Sequence, residues 1–254
     1  MNTAQLLYGQ RDPTTLSVCD TQLDLDATDA VVIADAEIFY SLFELPMSVA
    51  EHALPTSLHP SIPALLGVTF VHANDGPLGA FDLAYVGVAC RTGIKPRHLI
   101  QSAFCNSTNA LDFFSSRYGF ACALAEVNCR ETYDRVRGDV CVEGNSILDV
   151  TITDCIPLVG AGATIKYSPP LNGCNIAGTT ALVQFEAAYE FKRVLRGKPQ
   201  AICFSSESLG NDRMHPTHAV AGSHAIVDLH LLPVRFALDP ALPAEAGGAR
   251  KIQR

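Results

Sequence analysis

The sequence predicts a mainly β domain with a few short helices, and three observations support this fold class. Apolar or alternating runs recur about ten times between Ala30 and Phe236, bounded by turn-forming residues. Two segments favour a helix, and strands and helices do not alternate as they would around a parallel sheet. Hydrophobic residues make up 48% of the chain and charged residues 17%, which is typical of a well-buried core.

The first predicted elements follow a polar N-terminal arm. Residues 1–29 lack clear periodicity, so we expect an arm or an edge element there. Residues 30–42 are rich in β-branched and apolar side chains and predict a strand. Residues 46–53 predict a short helix, because proline is favoured in a first turn. That helix should end at Leu54, since the residue before Pro55 is pushed out of helical geometry.

A hairpin and a second helix are predicted next. Residues 63–73 and 79–91 resemble strands, and the turn-forming residues 74–77 between them indicate a hairpin. Residues 96–104 predict another strand. The polar residues that follow can cap a helix that runs from Thr108 to Arg117.

The second half of the chain predicts more strands, with two loops and a tail. The alternation over residues 135–142 is typical of an antiparallel strand with one buried face. Residues 169–178 predict a loop rich in Pro, Gly and Asn, and residues 207–218 predict a polar loop over a site. Residues 238–254 predict a flexible tail. The predicted strands of this half are residues 127–143, 147–158, 179–191, 200–206 and 223–236.

So many strands expose edges unless the sheet closes on itself. Closure into an antiparallel barrel that encloses a ligand cavity would remove those edges. We find no internal repeat and no linker, so residues 30–237 are predicted to form a single domain.

Composition and charge limit the partners that we expect. The net charge of −8 and the lack of a basic stripe argue against nucleic acid. No run reaches the roughly 20 apolar residues that a membrane span needs, and the first residues do not resemble a secretory signal. The nine cysteines form no C-x-x-C pair, which favours reduced thiols and a cytoplasmic protein.

Several polar residues are weak candidates for a site when judged by spacing alone. Asp228 and His230 share one face of a strand and could form a base with its orienting partner, or simply face solvent. His215 and His218 lie in a loop without a companion cluster, so we predict no metal site. Gln184, Glu186 and Glu190 alternate with apolar neighbours, and periodicity does not say which face lines an interior.

The segment Tyr118-Gly119-Phe120-Ala121-Cys122-Ala123-Leu124 resembles the active-site signature of the acetoacetate decarboxylase family. In that family an aromatic residue, a glycine, an aromatic residue and a proline precede two adjacent lysines. The resemblance continues in order through residues 43–58, 78–81, 166–169 and 223–233. It implies a β-rich barrel whose interior holds the substrate and which often assembles into homo-oligomers.

The family's functional residues are changed in this sequence. Cys122 aligns with the lysine that forms the Schiff base, and Ala123 aligns with the neighbouring lysine. Leu83 aligns with the family's glutamate, and Asp82 would face the other side of the strand unless a bulge shifts the register. Glu44 lies near the position of the family's arginine. A thiol cannot form an iminium ion, so the resemblance does not imply Schiff-base chemistry here.

The resemblance still points to candidate site residues. Cys122, Asp82 and Glu44 are the candidate catalytic groups, as nucleophile or acid and base, although each could be a buried thiol or a solvated carboxylate. Lys166 and Lys192 are candidates for a displaced Schiff-base lysine. The residues around the signature favour an apolar ligand. The candidate substrate-binding residues are Arg117, Tyr118, Phe120 and Phe113.

The function we expect is that of a cofactor-free enzyme that acts without a Schiff base. It would bind a small oxo-acid or polyketide-like substrate in the barrel cavity and catalyse a lyase, dehydration or cyclisation step of secondary metabolism. Positioning and hydrogen bonding would supply its rate enhancement. The alternatives are a non-catalytic small-molecule binding protein and a Schiff-base-independent β-keto acid decarboxylase.

Overall fold

The computed structural model describes residues 7–93, 95–160, 163–244 and 249–252. Two α-helices, α1 (Met47–Ala53) and α2 (Thr108–Tyr118), accompany a single large sheet. Its strands are β1 (Val18–Cys19), β2 (Val31–Glu44), β3 (His59–Pro60), β4 (Leu65–Ala73), β5 (Phe81–Thr92), β6 (Lys95–Cys105), β7 (Cys122–Leu124) and β8 (Glu126–Glu131). The remaining strands are β9 (Arg135–Val142), β10 (Asn145–Pro157), β11 (Pro170–Ile176), β12 (Thr179–Gln184), β13 (Glu186–Phe204), β14 (Ala219–Leu232), β15 (Phe236–Leu238) and β16 (Ala249–Lys251).

The predicted hairpin and both predicted helices are confirmed. Strands β4 and β5 pair in antiparallel register around the predicted turn. The Ser107 side chain accepts a hydrogen bond from the amide of Ala110 and caps α2. Gly119 ends this helix at φ 68°, in the left-handed region where glycine is favoured.

The predicted loop over residues 169–178 is wrong, because most of it forms strand β11. This strand pairs with β12 and also lies parallel to β6 and β1. The Asn172 amide donates a hydrogen bond to the carbonyl of Tyr118. Gly173 lets the carbonyl of Ser17 approach so closely that a Cβ atom would lie 2.4 Å from it. These residues favour turns in isolation, but here they allow backbone segments to lie close together inside the sheet.

The sheet is mainly antiparallel, and its order is β16-β15-β12-β11-β6-β5-β4-β2-β14-β13-β10-β9-β8. The mainly β class predicted from the sequence is confirmed. The sheet is not closed, because β16 and β8 end this path without pairing with each other within the described residues. The predicted strands 179–191 and 200–206 are divided differently, since β13 is one strand of 19 residues.

Strands β8 and β9 pack across the central strands instead of closing a ring. Gly138 of β9 makes this approach possible, because a Cβ atom there would lie 2.5 Å from the ring of Phe70 in β4. Because successive side chains of a strand point to opposite faces, those of the central strands pack into two separate cores. Phe39 and Phe70 enter the core beneath β8 and β9, whereas Ile38 enters the core beneath α2.

The predicted arm and tail both contribute strands. Strand β1 pairs with β11, so part of residues 1–29 is an edge element. Strand β16 pairs with β15 in the region predicted as a tail. The domain limits and the flexibility of the tail stay predictions. Neither described helix is long and apolar enough to cross a membrane.

Candidate active site

An inner cavity lies between α2, β13 and the central strands β2, β4 and β5. Its space is narrow, since the centre of a water molecule can reach only about 20 Å³ of it. The lining is apolar apart from a few hydroxyl groups and one imidazole. The lining residues are Ile38, Tyr40, Gly67, Thr69, Val71, Leu83, Tyr85, Gly87, His98, Phe114, Tyr167, Ser168, Phe185, Tyr189 and Leu229.

Strand register brings the polar part of this lining together. Tyr40 pairs with Thr69, and Thr69 pairs with Tyr85, so three neighbouring strands present these side chains on one face. Gly67 makes room for His98, because a Cβ atom there would lie 2.9 Å from Nε2 of the imidazole.

Tyr40 and His98 form a hydrogen-bonded pair in the cavity wall. The Tyr40 hydroxyl lies 3.4 Å from Nε2 of His98. The Ser168 backbone favours the protonated form of the same imidazole, which is the effect of a nearby carbonyl acceptor. In the neutral tautomer with its N–H on Nδ1, Nε2 can accept a hydrogen bond from the Tyr40 hydroxyl.

The Tyr167 hydroxyl is the unpaired polar group of the cavity. Its oxygen is buried and has no hydrogen-bond partner of normal geometry among the described residues. Ser223 faces it, and the Ser223 hydroxyl is likewise buried and unpaired. A buried hydroxyl without a partner is unfavourable in an empty cavity, and a bound carbonyl group would satisfy it.

Burial keeps the titratable groups of the lining neutral. It lowers the pKa of His98 to about 4 and raises the pKa of Tyr85 to about 12. Burial also raises the pKa of Tyr40, Tyr167 and Tyr189. The cavity therefore presents hydrogen-bonding groups without a charge at neutral pH.

A larger outer cavity adjoins the inner one at Tyr40, whose side chain lines both. It offers about 640 Å³, within the size range of small-molecule sites. Two cations, Lys166 and Arg196, stand in its walls. Its lining residues are Tyr40, Leu42, Thr164, Ile165, Lys166, Arg196, Gly197, Val220, Ala221, Gly222 and Ser223.

No protein-family model matches the sequence, and no curated protein matches it at a significant level. Solved structures do match the fold. Acetoacetate decarboxylase from Legionella pneumophila superposes with a TM-score of 0.69 at 16% identity, over 82% of this chain and 86% of that chain. The enduracididine biosynthesis enzyme MppR, complexed with pyruvate, has a TM-score of 0.64 at 14% identity, over 81% and 89%. An acetoacetate decarboxylase-like enzyme from Sphingomonas wittichii has a TM-score of 0.62 at 12% identity, over 83% and 94%.

The chain has the acetoacetate decarboxylase-like fold. The predicted resemblance is thereby confirmed at the level of fold. Within it, Leu83 lines the inner cavity and Asp82 faces the opposite side, because the β4–β5 register has no bulge. The alternation argument made from the sequence holds at this position.

The three predicted catalytic residues are not brought together by this fold. Cys122 pairs with Ala103 at the start of β7 and does not line the inner cavity. Burial, and then the nearby thiols of Cys105 and Cys19, raise the pKa of the Cys122 thiol, which weakens it as a nucleophile.

The two predicted carboxylates lie in different places. Asp82 accepts hydrogen bonds from His72 at 2.8 Å and from Asn106 at 2.9 Å, and burial raises its pKa. Glu44 ends β2 at the surface, where its carboxylate lies 3.6 Å from His218. Their catalytic roles, like that of Cys122, stay predictions.

The predicted substrate-binding residues form part of the aromatic core beneath α2. The Tyr118 hydroxyl donates to the carbonyl of Leu232, and the Arg117 guanidinium lies 5.5 Å from the centre of the Phe113 ring. Two of them contact rings of the cavity lining: the Phe120 ring lies 5.6 Å from that of Tyr85, and the Tyr118 ring lies 4.8 Å from that of Phe185. These residues support the cavity wall from behind, and the inner cavity lining does not include them.

The weaker candidates are engaged elsewhere. Asp228 pairs with Lys192 at 2.6 Å, and His230 pairs with Glu190 at 3.1 Å, so Asp228 and His230 do not form a dyad. His215 bonds to Ser206 instead of approaching His218. In residues 184–190, the polar side chains are paired on one face: Glu186 with Arg235, and Gln184 with Arg97. Phe185 and Tyr189, on the other face, line the inner cavity.

Among the described residues, one group of side chains is close enough to hold a metal ion. Glu37, Glu131 and His224 place their ligand atoms within 4.8 Å of one another. The two carboxylates face different nitrogens of the buried imidazole, at 3.0 Å and 3.5 Å, and Arg193 pairs with Glu131. Because Arg193 already supplies a cation to Glu131, the arrangement favours an ion-pair cluster over a metal centre.

The sequence analysis missed the residues that line the inner cavity, above all Tyr40, His98, Tyr167 and Tyr189. Tyr167 belongs to the segment 166–169, which supported the family resemblance, but no role was attached to it. Tyr40 and Tyr189 lie in alternating runs, where periodicity distinguishes the two faces of a strand but does not show which face lines a cavity.

Proposed function

We propose that this protein is an enzyme that activates a carbonyl compound in the inner cavity by hydrogen bonding, without a Schiff base. The observation that carries the proposal is the buried, unpaired hydroxyl of Tyr167 in a lining that contains no lysine among the described residues. A hydroxyl held in an apolar cavity is a strong donor to an oxygen that gains negative charge.

The reaction that fits this lining is proton transfer next to the carbonyl. The C–H electron pair forms a C=C bond, and the carbonyl π pair moves onto the oxygen, which accepts a hydrogen bond from Tyr167. The proton goes to the oxygen of Tyr40 while Tyr40 passes its own proton to Nε2 of His98. The enolate then returns the proton, expels a leaving group or attacks a second carbonyl, as isomerisation, dehydration and cyclisation require.

The reacting part of the substrate should be neutral. The titratable lining groups are uncharged at neutral pH, and an unpaired carboxylate would lose much of its hydration energy inside the cavity. An oxo-acid fits only if its carboxylate stays outside. A polyketide-like molecule, rich in ketones, meets this requirement.

The test is hydrogen–deuterium exchange at the α-carbon of small ketones and diketones in D₂O, followed by proton NMR. We expect saturable exchange above the buffer rate with the wild-type protein. Tyr167→Phe should reduce exchange by about 100-fold, the usual loss for one such donor. Saturable binding in the cavity without exchange would overturn the enzyme proposal in favour of a binding protein.

The decarboxylase alternative has its own readout. Carbon dioxide release from a panel of β-keto acids, at a rate that depends on Tyr167, would assign decarboxylation to the same cavity. If Tyr167→Phe does not change the rate of carbon dioxide release, decarboxylation takes place outside this cavity.

A further inference from the structure

We propose that the outer cavity binds an anionic group at the far end of an elongated substrate whose carbonyl end occupies the inner cavity. The inference rests on the proposed function and adds a substrate class to it. The ligand would be a ketone that carries a carboxylate or a phosphate at the other end of its chain.

The relative size of the two cavities indicates an elongated ligand. The inner cavity admits about one water-sized group, which matches the methyl end of a ketone. The outer cavity is far larger and shares the wall residue Tyr40 with the inner one. A ligand that reaches Tyr167 therefore has to leave most of its body in the outer cavity.

The charges of the outer cavity favour an anion there. Lys166 and Arg196 both line it, and neither has a salt bridge or a side-chain hydrogen bond among the described residues. The described lining of this cavity contains no Asp or Glu that would oppose an anion.

Neighbouring residues of the chain line the two cavities. Lys166 and Tyr167 are neighbours in a segment without regular secondary structure, and they line the outer and the inner cavity respectively. Ser223 lines the outer cavity while its hydroxyl faces that of Tyr167. The cation and the proposed carbonyl donor thus lie on one short stretch of chain, at the boundary between the two cavities.

The experiment compares methyl-keto acids of increasing length, starting at levulinate, with their uncharged amides by calorimetry. Each exposed cation contributes little alone, so we expect the best acid to bind roughly 2- to 30-fold more tightly than its amide. Methyl-ketone phosphate monoesters of matched length show whether the anion is a phosphate or a carboxylate. A higher salt concentration should weaken the binding of the acid and leave the binding of the amide unchanged.

The decisive variants are the double substitution Lys166→Met with Arg196→Met and a matched control. The control, Arg91→Met with Arg213→Met, removes the same charge from exposed residues outside both cavities. The acid preference should disappear in the first protein and persist in the control.

Two outcomes would contradict the proposal, and they can be told apart. If the wild-type protein binds acid and amide equally, and Tyr167→Phe weakens both, the anion site is wrong and the carbonyl site stands. If neither ligand binds, or if Tyr167→Phe leaves the binding of both unchanged, no carbonyl end occupies the inner cavity, and both the elongated-substrate proposal and the proposed function are overturned.

Discussion

The Tyr40 hydroxyl lies 3.4 Å from Nε2 of His98, and both groups line the inner cavity. The Ser168 backbone also interacts with this imidazole. A hydrogen-bonded phenol and imidazole therefore form part of the wall of the inner cavity.

Tyr167→Phe should leave the protein as stable as the wild type, or more stable. The substitution removes a buried hydroxyl that faces Ser223 but has no hydrogen-bond partner of normal geometry among the described residues, so folding loses little hydrogen-bond energy. Tyr118→Phe is the matched control, because the Tyr118 hydroxyl donates to the carbonyl of Leu232. We expect a loss of about 1–3 kcal/mol for Tyr118→Phe in urea denaturation. A similar loss for Tyr167→Phe would show that its hydroxyl is satisfied in the folded protein.

His98 should make the protein less stable as the pH falls from about 6.5 towards 4. Burial lowers the pKa of His98 to about 4 in the folded state, whereas the unfolded chain takes up the proton near 6.5. The unfolded state therefore binds more protons in this window, and stability falls with pH. Its contribution is about 2 kcal/mol between pH 7.5 and pH 5.

Denaturation curves at these two pH values measure this contribution through the difference between wild type and His98→Asn. The exposed His52 offers a control, His52→Asn, which should keep the wild-type pH dependence. An unchanged pH dependence in His98→Asn would mean that the buried imidazole titrates normally.

Borohydride should trap no substrate on this protein. The described lining of the inner cavity contains no lysine, and Lys192 is held by Asp35 and Asp228 on the surface. We expect an unchanged mass after incubation with a ketone and borohydride, measured by intact-protein mass spectrometry. Lys166 is the lysine nearest to the site, and a reduced adduct on it would restore the Schiff-base mechanism.

Cys122→Ser, Asp82→Asn and Glu44→Gln should each change turnover by less than about 3-fold. None of the three side chains lines the inner cavity, and the Asp82 carboxylate is engaged by His72 and Asn106. A loss near 100-fold, the scale on which acid–base groups act, would instead support the catalytic role predicted from the sequence. The α-exchange assay measures this, with Tyr167→Phe as the positive control for loss.

Much of the fold was predictable because local chemistry set it. The turn after Ala73 joins β4 to β5, and Ser107 and Gly119 begin and end α2 as their side chains and backbone require. The loop prediction for residues 169–178 failed because Asn172 and Gly173 serve contacts with distant segments, which local propensity does not contain.

The sequence by itself determined the alternation along each strand, and so it showed that Leu83 and Asp82 face opposite sides. Through the family resemblance it also predicted that Cys122 and Ala123 stand in place of the family's lysine pair. Only the tertiary structure decided which face of each strand lines the cavity, because a cavity forms where several strands and a helix meet. The phenols of Tyr40 and Tyr167 became site candidates through neighbours far away in the chain, which no local pattern records.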